Sequence, residues 1–250
     1  MLRPAVVLCL CLAAGFAQAA PPNDEQRHYT ECLTLAKSKP AEGWENASAW
    51  QSLGGGDAAR HCGAVALIGL GEFEEGAMRL ETLAQEKRRA APIRAGMLAQ
   101  AASAWSLVGQ TQQALRDQTL ALSLTPKDTD LLMDRAALYG ATGDIHAAIA
   151  DLDQVVRLAP KRADVYALRA SAWRLEGDLG AAERDIVAAL KRDPNQPDAL
   201  LESGVTALAR GTKPQARRAW LKLLQVAPES GAADSARQNI EKLDVRGVAN

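Results

Sequence analysis

Two apolar patterns of different period run along this chain. Ala5–Ala17, reading AVVLCLCLAAGFA, is apolar without interruption. Beyond it, apolar residues recur at spacings of three and four between charged ones. Gly231–Val245 is an example: Ala233, Ala236, Ile240 and Leu243 form one stripe, while Asp234, Arg237, Gln238, Glu241 and Lys242 form the opposite face. That spacing predicts amphipathic helices that bury one side. Near the N-terminus it predicts helices over Asp24–Lys37 and Ala41–Leu53, followed by a flexible joint at Gly54-Gly55-Gly56.

The middle of the chain repeats itself. Prolines stand at Pro92, Pro126, Pro160, Pro194 and Pro228, each 34 residues after the last. Gly109, Gly143, Gly177 and Gly211 keep the same step, 17 residues ahead of a proline, and Ala114, Ala148, Ala182 and Ala216 follow five after each glycine. Each unit therefore reads as two helices joined at a glycine that tolerates positive φ, with a proline closing the second. One helical pair cannot bury its apolar face alone, so neighbours stack into a continuous core. Gly71 lies 21 residues before Pro92 rather than 17, which predicts a longer second helix or a short insert within residues 85–91.

The repeat resembles the tetratricopeptide repeat. Thr129–Arg162 and Ala163–Gln196 match its pattern at apolar or aromatic position 4 (Leu132, Tyr166), small position 8 (Ala136, Ala170), aromatic position 11 (Tyr139, Trp173), Gly-Asp at 15–16, Ala at 20 and Pro at 32. Ala95–Asp128 and Pro197–Ser230 flank them, and a divergent unit spans 57–94. The resemblance implies an all-α solenoid of antiparallel helical hairpins, coiled as a right-handed superhelix. Residues 20–56 would form an N-terminal helical cap, and 231–250 a C-terminal capping helix and tail.

The same resemblance implies a concave partner-binding face drawn from first helices: Ala99 and Ser103; Asp130, Met133 and Ala137; Asp164, Ala167, Ser171 and Arg174; Asp198, Leu201 and Val205. Lysine and asparagine, which members binding chaperone tails use to grip a terminal carboxylate, are absent from these positions. An apolar trough edged by Asp130, Asp164 and Asp198 suits instead an apolar peptide or helix carrying basic residues. Those aspartates also complement the helix macrodipole where they stand, with no ligand needed.

Arg135 and Arg169 occupy position 7, and Asp117, Asp151 and Asp185 position 23. Recurrence at fixed positions predicts structural ion pairs. Two registers are open: Arg135–Asp151 with Arg169–Asp185 inside each unit, or Arg135–Asp117 with Arg169–Asp151 across units.

Composition narrows the rest. The chain has 250 residues, 48% hydrophobic and 24% charged, with 29 basic against 30 acidic residues. Balanced charge argues against nucleic-acid partners, which require a basic excess. The basic clusters at Lys87-Arg88-Arg89 with Arg94, and at Arg210, Lys213, Arg217, Arg218 and Lys222, read as solvated surface.

The apolar run after Arg3 is 13 residues long, too short for the roughly 20 that span a bilayer. Ala17-Gln18-Ala19 behind it offers a cleavage site, so 1–19 reads as a secretory signal peptide and the protein as periplasmic. Cleavage removes Cys9 and Cys11 and leaves Cys32 and Cys62, which predicts one disulfide stapling the N-terminal cap to the array. Three histidines, His28, His61 and His146, are too few and too divergent to favour a metal. No nucleophile or phosphate-loop motif occurs, and no cofactor is expected. The function expected is a non-catalytic protein-interaction scaffold; a chaperone-like carrier of exported clients is the alternative.

Overall fold

A computed structural model describes residues 23–248, with side chains through Asp244. The predicted signal peptide lies outside the described residues. Thirteen helices follow: α1 (Asp24–Ser38), α2 (Pro40–Ser52), α3 (Gly56–Gly69), α4 (Phe73–Ala84), α5 (Ala91–Leu107), α6 (Thr111–Leu124), α7 (Thr129–Thr142), α8 (Ile145–Leu158), α9 (Ala163–Glu176), α10 (Leu179–Arg192), α11 (Pro197–Ala209), α12 (Lys213–Val226) and α13 (Gly231–Val248). No strand occurs among the described residues.

Consecutive helices pack as antiparallel hairpins, and each hairpin packs on the next. The turn inside a hairpin is set by its Gly-Asp pair. Gly143 and Gly177 take left-handed φ values of 82° and 93° and stop α7 and α9. Asp144 and Asp178 then cap the next helices, accepting hydrogen bonds from the Ala147 and Ala181 amides at 3.2 and 2.8 Å. An N-cap carboxylate satisfies one of the amides left unpaired in a first helical turn.

Pro126, Pro160, Pro194 and Pro228 each stand two residues after the end of a second helix. Pro92 departs from the series. Helix α4 ends early, at Ala84, and residues 85–90 form an inserted loop. Pro92 thus falls in the first turn of α5, where a missing amide hydrogen costs nothing. The extra turn of chain does not lengthen the second helix: the loop gains two residues, and α5 begins a turn early and runs to 17 residues, where α7 and α9 have 14. Ion pairs of Glu86 with Arg60 and of Arg89 with Asp57 tie this loop to α3.

One cluster of buried apolar side chains runs from Ala64 in α3 to Ala199 in α11. Separate clusters close the ends: Cys32, Ala36, Ala47, Trp50, Ala59, Cys62 and Ala66 at one, and Leu200, Trp220, Leu223 and Ala236 among others at the second. Helix α1 packs on α3 as well as α2, so the N-terminal hairpin stacks in line with the units after it.

Cys32 of α1 and Cys62 of α3 are joined by a disulfide with their Cα atoms 6.1 Å apart, and both are fully buried. A cross-link closing a loop of this length stabilises a fold by about 2–4 kcal/mol. Replacing both cysteines by serine is therefore expected to lower the urea midpoint by a corresponding amount. The loss should fall first on α1 and α2, seen as early exchange of their amides while those of α7–α10 stay protected.

Candidate functional site

The first helices α5, α7, α9 and α11 carry the residues of the expected concave face. Ser103, Asp130, Ala137 and Asp198 are exposed, and Ala99, Met133, Ser171, Leu201 and Val205 are half-buried. Two of the expected residues are not free for a guest. Ala167 is buried between helices, because its side of α9 meets a neighbouring helix. Arg174 is committed to the stack, donating from Nε and Nη2 to the Glu202 carboxylate of the next unit at 2.8 and 3.2 Å.

The acidic edge is also less acidic than its sequence. Arg162 lies between Asp130 and Asp164 and pairs with both, reaching Asp164 Oδ2 at 2.7 Å. Its guanidinium holds the Asp164 carboxyl below the usual carboxylate range. Asp198 accepts only a 3.2 Å hydrogen bond from Gln196 Nε2, so it is the aspartate of the three that keeps an unneutralised charge. Arg162 stands at the loop preceding α9, and its role was not legible from position: Arg94 ends the first unit in the same place but donates to the Ala84 carbonyl, and the other units end on Asp128, Gln196 and Ser230.

Position 7 and position 23 meet inside each of the two units that carry both an arginine and an aspartate there. Arg135 donates from Nε and Nη2 to the two oxygens of Asp151 at 2.8 and 2.7 Å, and Arg169 does the same to Asp185 at 2.7 Å for each bond. The across-unit contact exists too, but it ends two residues further along: Arg169 Nη1 donates to Asp153 at 2.7 Å. Asp151 and Asp185 are buried.

A larger hollow opens at the N-terminal end of the array, between the first helices of three successive hairpins. It has a volume of about 510 Å³ and is lined in part by Tyr29 of α1, His61 of α3, and Arg89, Ile93 and Met97 from the insert and α5. His61 Nδ1 is 2.7 Å from the Tyr29 hydroxyl, and its Nε2 is 3.2 Å from Gln100 Oε1. Burial pushes the His61 pKa down and holds the ring neutral, while the same burial raises that of Tyr29. The hollow was missed because its walls come from the cap and the insert, which fall outside the 34-residue period. One signal pointed there: His61 is position 5 of the unit starting at Asp57, a concave-face position. Among the described residues no group of histidine, cysteine or carboxylate side chains has the geometry of a metal site.

Residues 107–173 match the family model of the tetratricopeptide repeat. No curated protein matches the chain. Among solved structures, the C-terminal part of a repeat-containing protein of this type from Cytophaga hutchinsonii superposes with a TM-score of 0.63 at 17% identity, over 86% of this chain and 95% of that one. PilF of Pseudomonas aeruginosa gives 0.61 at 12% identity, over 86% and 99%. YrrB, described as a protein of this repeat type with an unusual peptide-binding site, gives 0.53 at 18% identity, over 76% and 96%. The fold of the chain is that of a tetratricopeptide-repeat solenoid. That fold is a scaffold for protein–protein interaction, and no described helix is long and apolar enough to cross a membrane.

Proposed function

We propose that this protein is an exported, non-catalytic scaffold that holds a peptide or helix of a partner against the concave face of its first helices. The observation carrying this reading is the set of half-buried apolar side chains Met133 on α7 and Leu201 and Val205 on α11, with half-buried Ser171 on the intervening first helix α9 and Asp198 beside them. Rigid, preformed helices present such a face without a large ordering cost on association. The peptide-binding site in the name of YrrB supports the mode of use, though not the identity of a guest.

Periplasmic location is supported by the leader pattern and by the pairing of Cys32 with Cys62, which suits an oxidising compartment. N-terminal sequencing of the exported protein is expected to begin at Ala20.

The groove is tested by placing a charged, bulky side chain on each of three first helices. Met133→Arg, Ser171→Arg and Leu201→Arg are each expected to reduce crosslinked partner recovery from periplasm at least fivefold, with helical content unchanged by circular dichroism. Equal recovery from all three variants and the wild type would place binding elsewhere on the molecule.

A further inference from the structure

The ladder of arginines and carboxylates has two complete rungs, and beside them one unit that keeps the carboxylates without the arginine. In the unit starting at Ala163, Arg169 grips Asp185 of its own second helix and reaches back to Asp153 of the preceding unit. In the unit starting at Thr129, Arg135 grips Asp151 and points Nη1 toward Thr119, 3.5 Å away at the position equivalent to Asp153. In the unit starting at Ala95, position 7 is Ala101, fully buried. Both carboxylates nonetheless remain. Asp117 stands where Asp151 and Asp185 stand, and Glu81 stands where Asp153 does once the four-residue insert is counted.

Two acids therefore face one position that carries no cation. Asp117 is only 5% exposed, and its Oδ2 accepts no hydrogen bond from any described residue. Together with Glu81, Arg94, Leu98 and Leu120 it lines a cleft of about 200 Å³ bounded by α4, α5 and α6. The neighbouring charges do not fill the vacancy. Arg94, on α5, spends its Nε on the Ala84 carbonyl at 2.6 Å. Arg116, beside Asp117 on α6, draws the Asp117 carboxyl down less than burial and Glu81 push it up, to about 7. Trp105 donates Nε1 to Glu81 at 2.6 Å, which fixes the glutamate and sets an indole at position 11. Tyr139 occupies that position beside Arg135, with the guanidinium carbon 5.6 Å from its ring centre.

We propose that this cleft is a receptor for the guanidinium of an arginine side chain on a protein partner, seated between Asp117 and Glu81 as Arg169 is seated between Asp185 and Asp153. A planar fork of donors reaches two carboxylates on different helices, and the aromatic ring beside it adds a favourable face. An ammonium is a compact point charge that meets both acids less well. The site lies against the second helices α4 and α6, so it is independent of the concave groove and does not require that reading to hold.

The test is titration of the ¹⁵N-labelled mature chain with n-butylguanidinium, n-butylammonium, blocked N-acetylarginine amide and free L-arginine, following the Trp105 indole resonance. Butylguanidinium and the blocked arginine are expected to move that resonance saturably, at least fivefold more tightly than butylammonium. Their affinity should fall about tenfold or more from pH 8 to pH 5, as the acid pair takes up the proton that a cation displaces. Asp117→Asn should abolish the shift while keeping the fold, and Ala101→Arg should abolish it by supplying the missing cation internally. Equal shifts with butylammonium, or binding retained in Asp117→Asn, would overturn the site. A stronger response to free arginine than to the blocked form would overturn the assignment to a protein side chain.

Discussion

Trp220→Ala is expected to remove about 3–5 kcal/mol from the stability of the C-terminal unit, the range for truncating a large buried aromatic. Trp220 is fully buried on α12, and its Nε1 donates to the Leu201 carbonyl at 3.2 Å. It fills repeat position 24, which elsewhere holds Leu152 and Ile186. The larger ring fits because position 8 opposite it is Gly204, where the other two units have Ala136 and Ala170. A Cβ added at Gly204 would collide with the Trp220 indole at Nε1. The two positions thus form one size-matched pair, and the test is a cycle. Gly204→Ala alone is expected to cost about 1–3 kcal/mol by overpacking. In Gly204→Ala with Trp220→Leu, which rebuilds the Ala136 and Leu152 arrangement, the glycine change should become nearly harmless. Urea unfolding measures all four proteins. Strictly additive effects would mean that the ring and the glycine are not coupled. Because each unit of a solenoid is supported only by its neighbours, Trp220→Ala should also detach α11–α13 as an early, separate unfolding step.

Such pairs explain which parts of this molecule were legible in its sequence. Gly143, Gly177 and the prolines from Pro126 onward carry backbone requirements that one residue meets alone, so their spacing predicts where helices turn. Position 7 and position 23 were legible because both partners recur, although only the structure chose the within-unit register. Features built by residues that occur once were hidden. Arg174 with Glu202 joins different units and leaves no periodic trace, while Arg162 pairs with two aspartates that do recur, at Asp130 and Asp164, in a contact that the equivalent Arg94 does not make. Pro92 misled because proline suits the first turn of a helix as well as the residue after one. Ala167 was misplaced because a small residue on a first helix serves close packing and groove lining equally well; the packing on this side of α9 decided it. The lack of an arginine at Ala101 was visible, but its consequence was not, since Glu81 enters register only after the insert is subtracted.

Position 23 offers a contrast in sign between residues of the same type. Asp185→Ala should destabilise by about 3 kcal/mol, because it strands the half-buried Arg169 guanidinium with only the more exposed Asp153. Asp117→Asn should do the opposite above neutrality. Burial and the Glu81 carboxylate raise the Asp117 pKa from 3.8 to about 7 in the folded chain. The native state then binds this proton more tightly than the unfolded state. Stability is thus largest when both states are protonated, falls as pH rises from about 4 to about 7, and stays low above that. Asparagine carries no charge at any pH and removes this fall. Asp117→Asn is therefore expected to match the wild type near pH 4 and to exceed it by on the order of 2 kcal/mol at pH 8. Unfolding free energies across that range, with Asp185→Ala in parallel, separate the two cases. If Asp117→Asn weakened the fold at pH 8 as Asp185→Ala does, Asp117 would have to be paired with a cation, and the rung without an arginine would not be open.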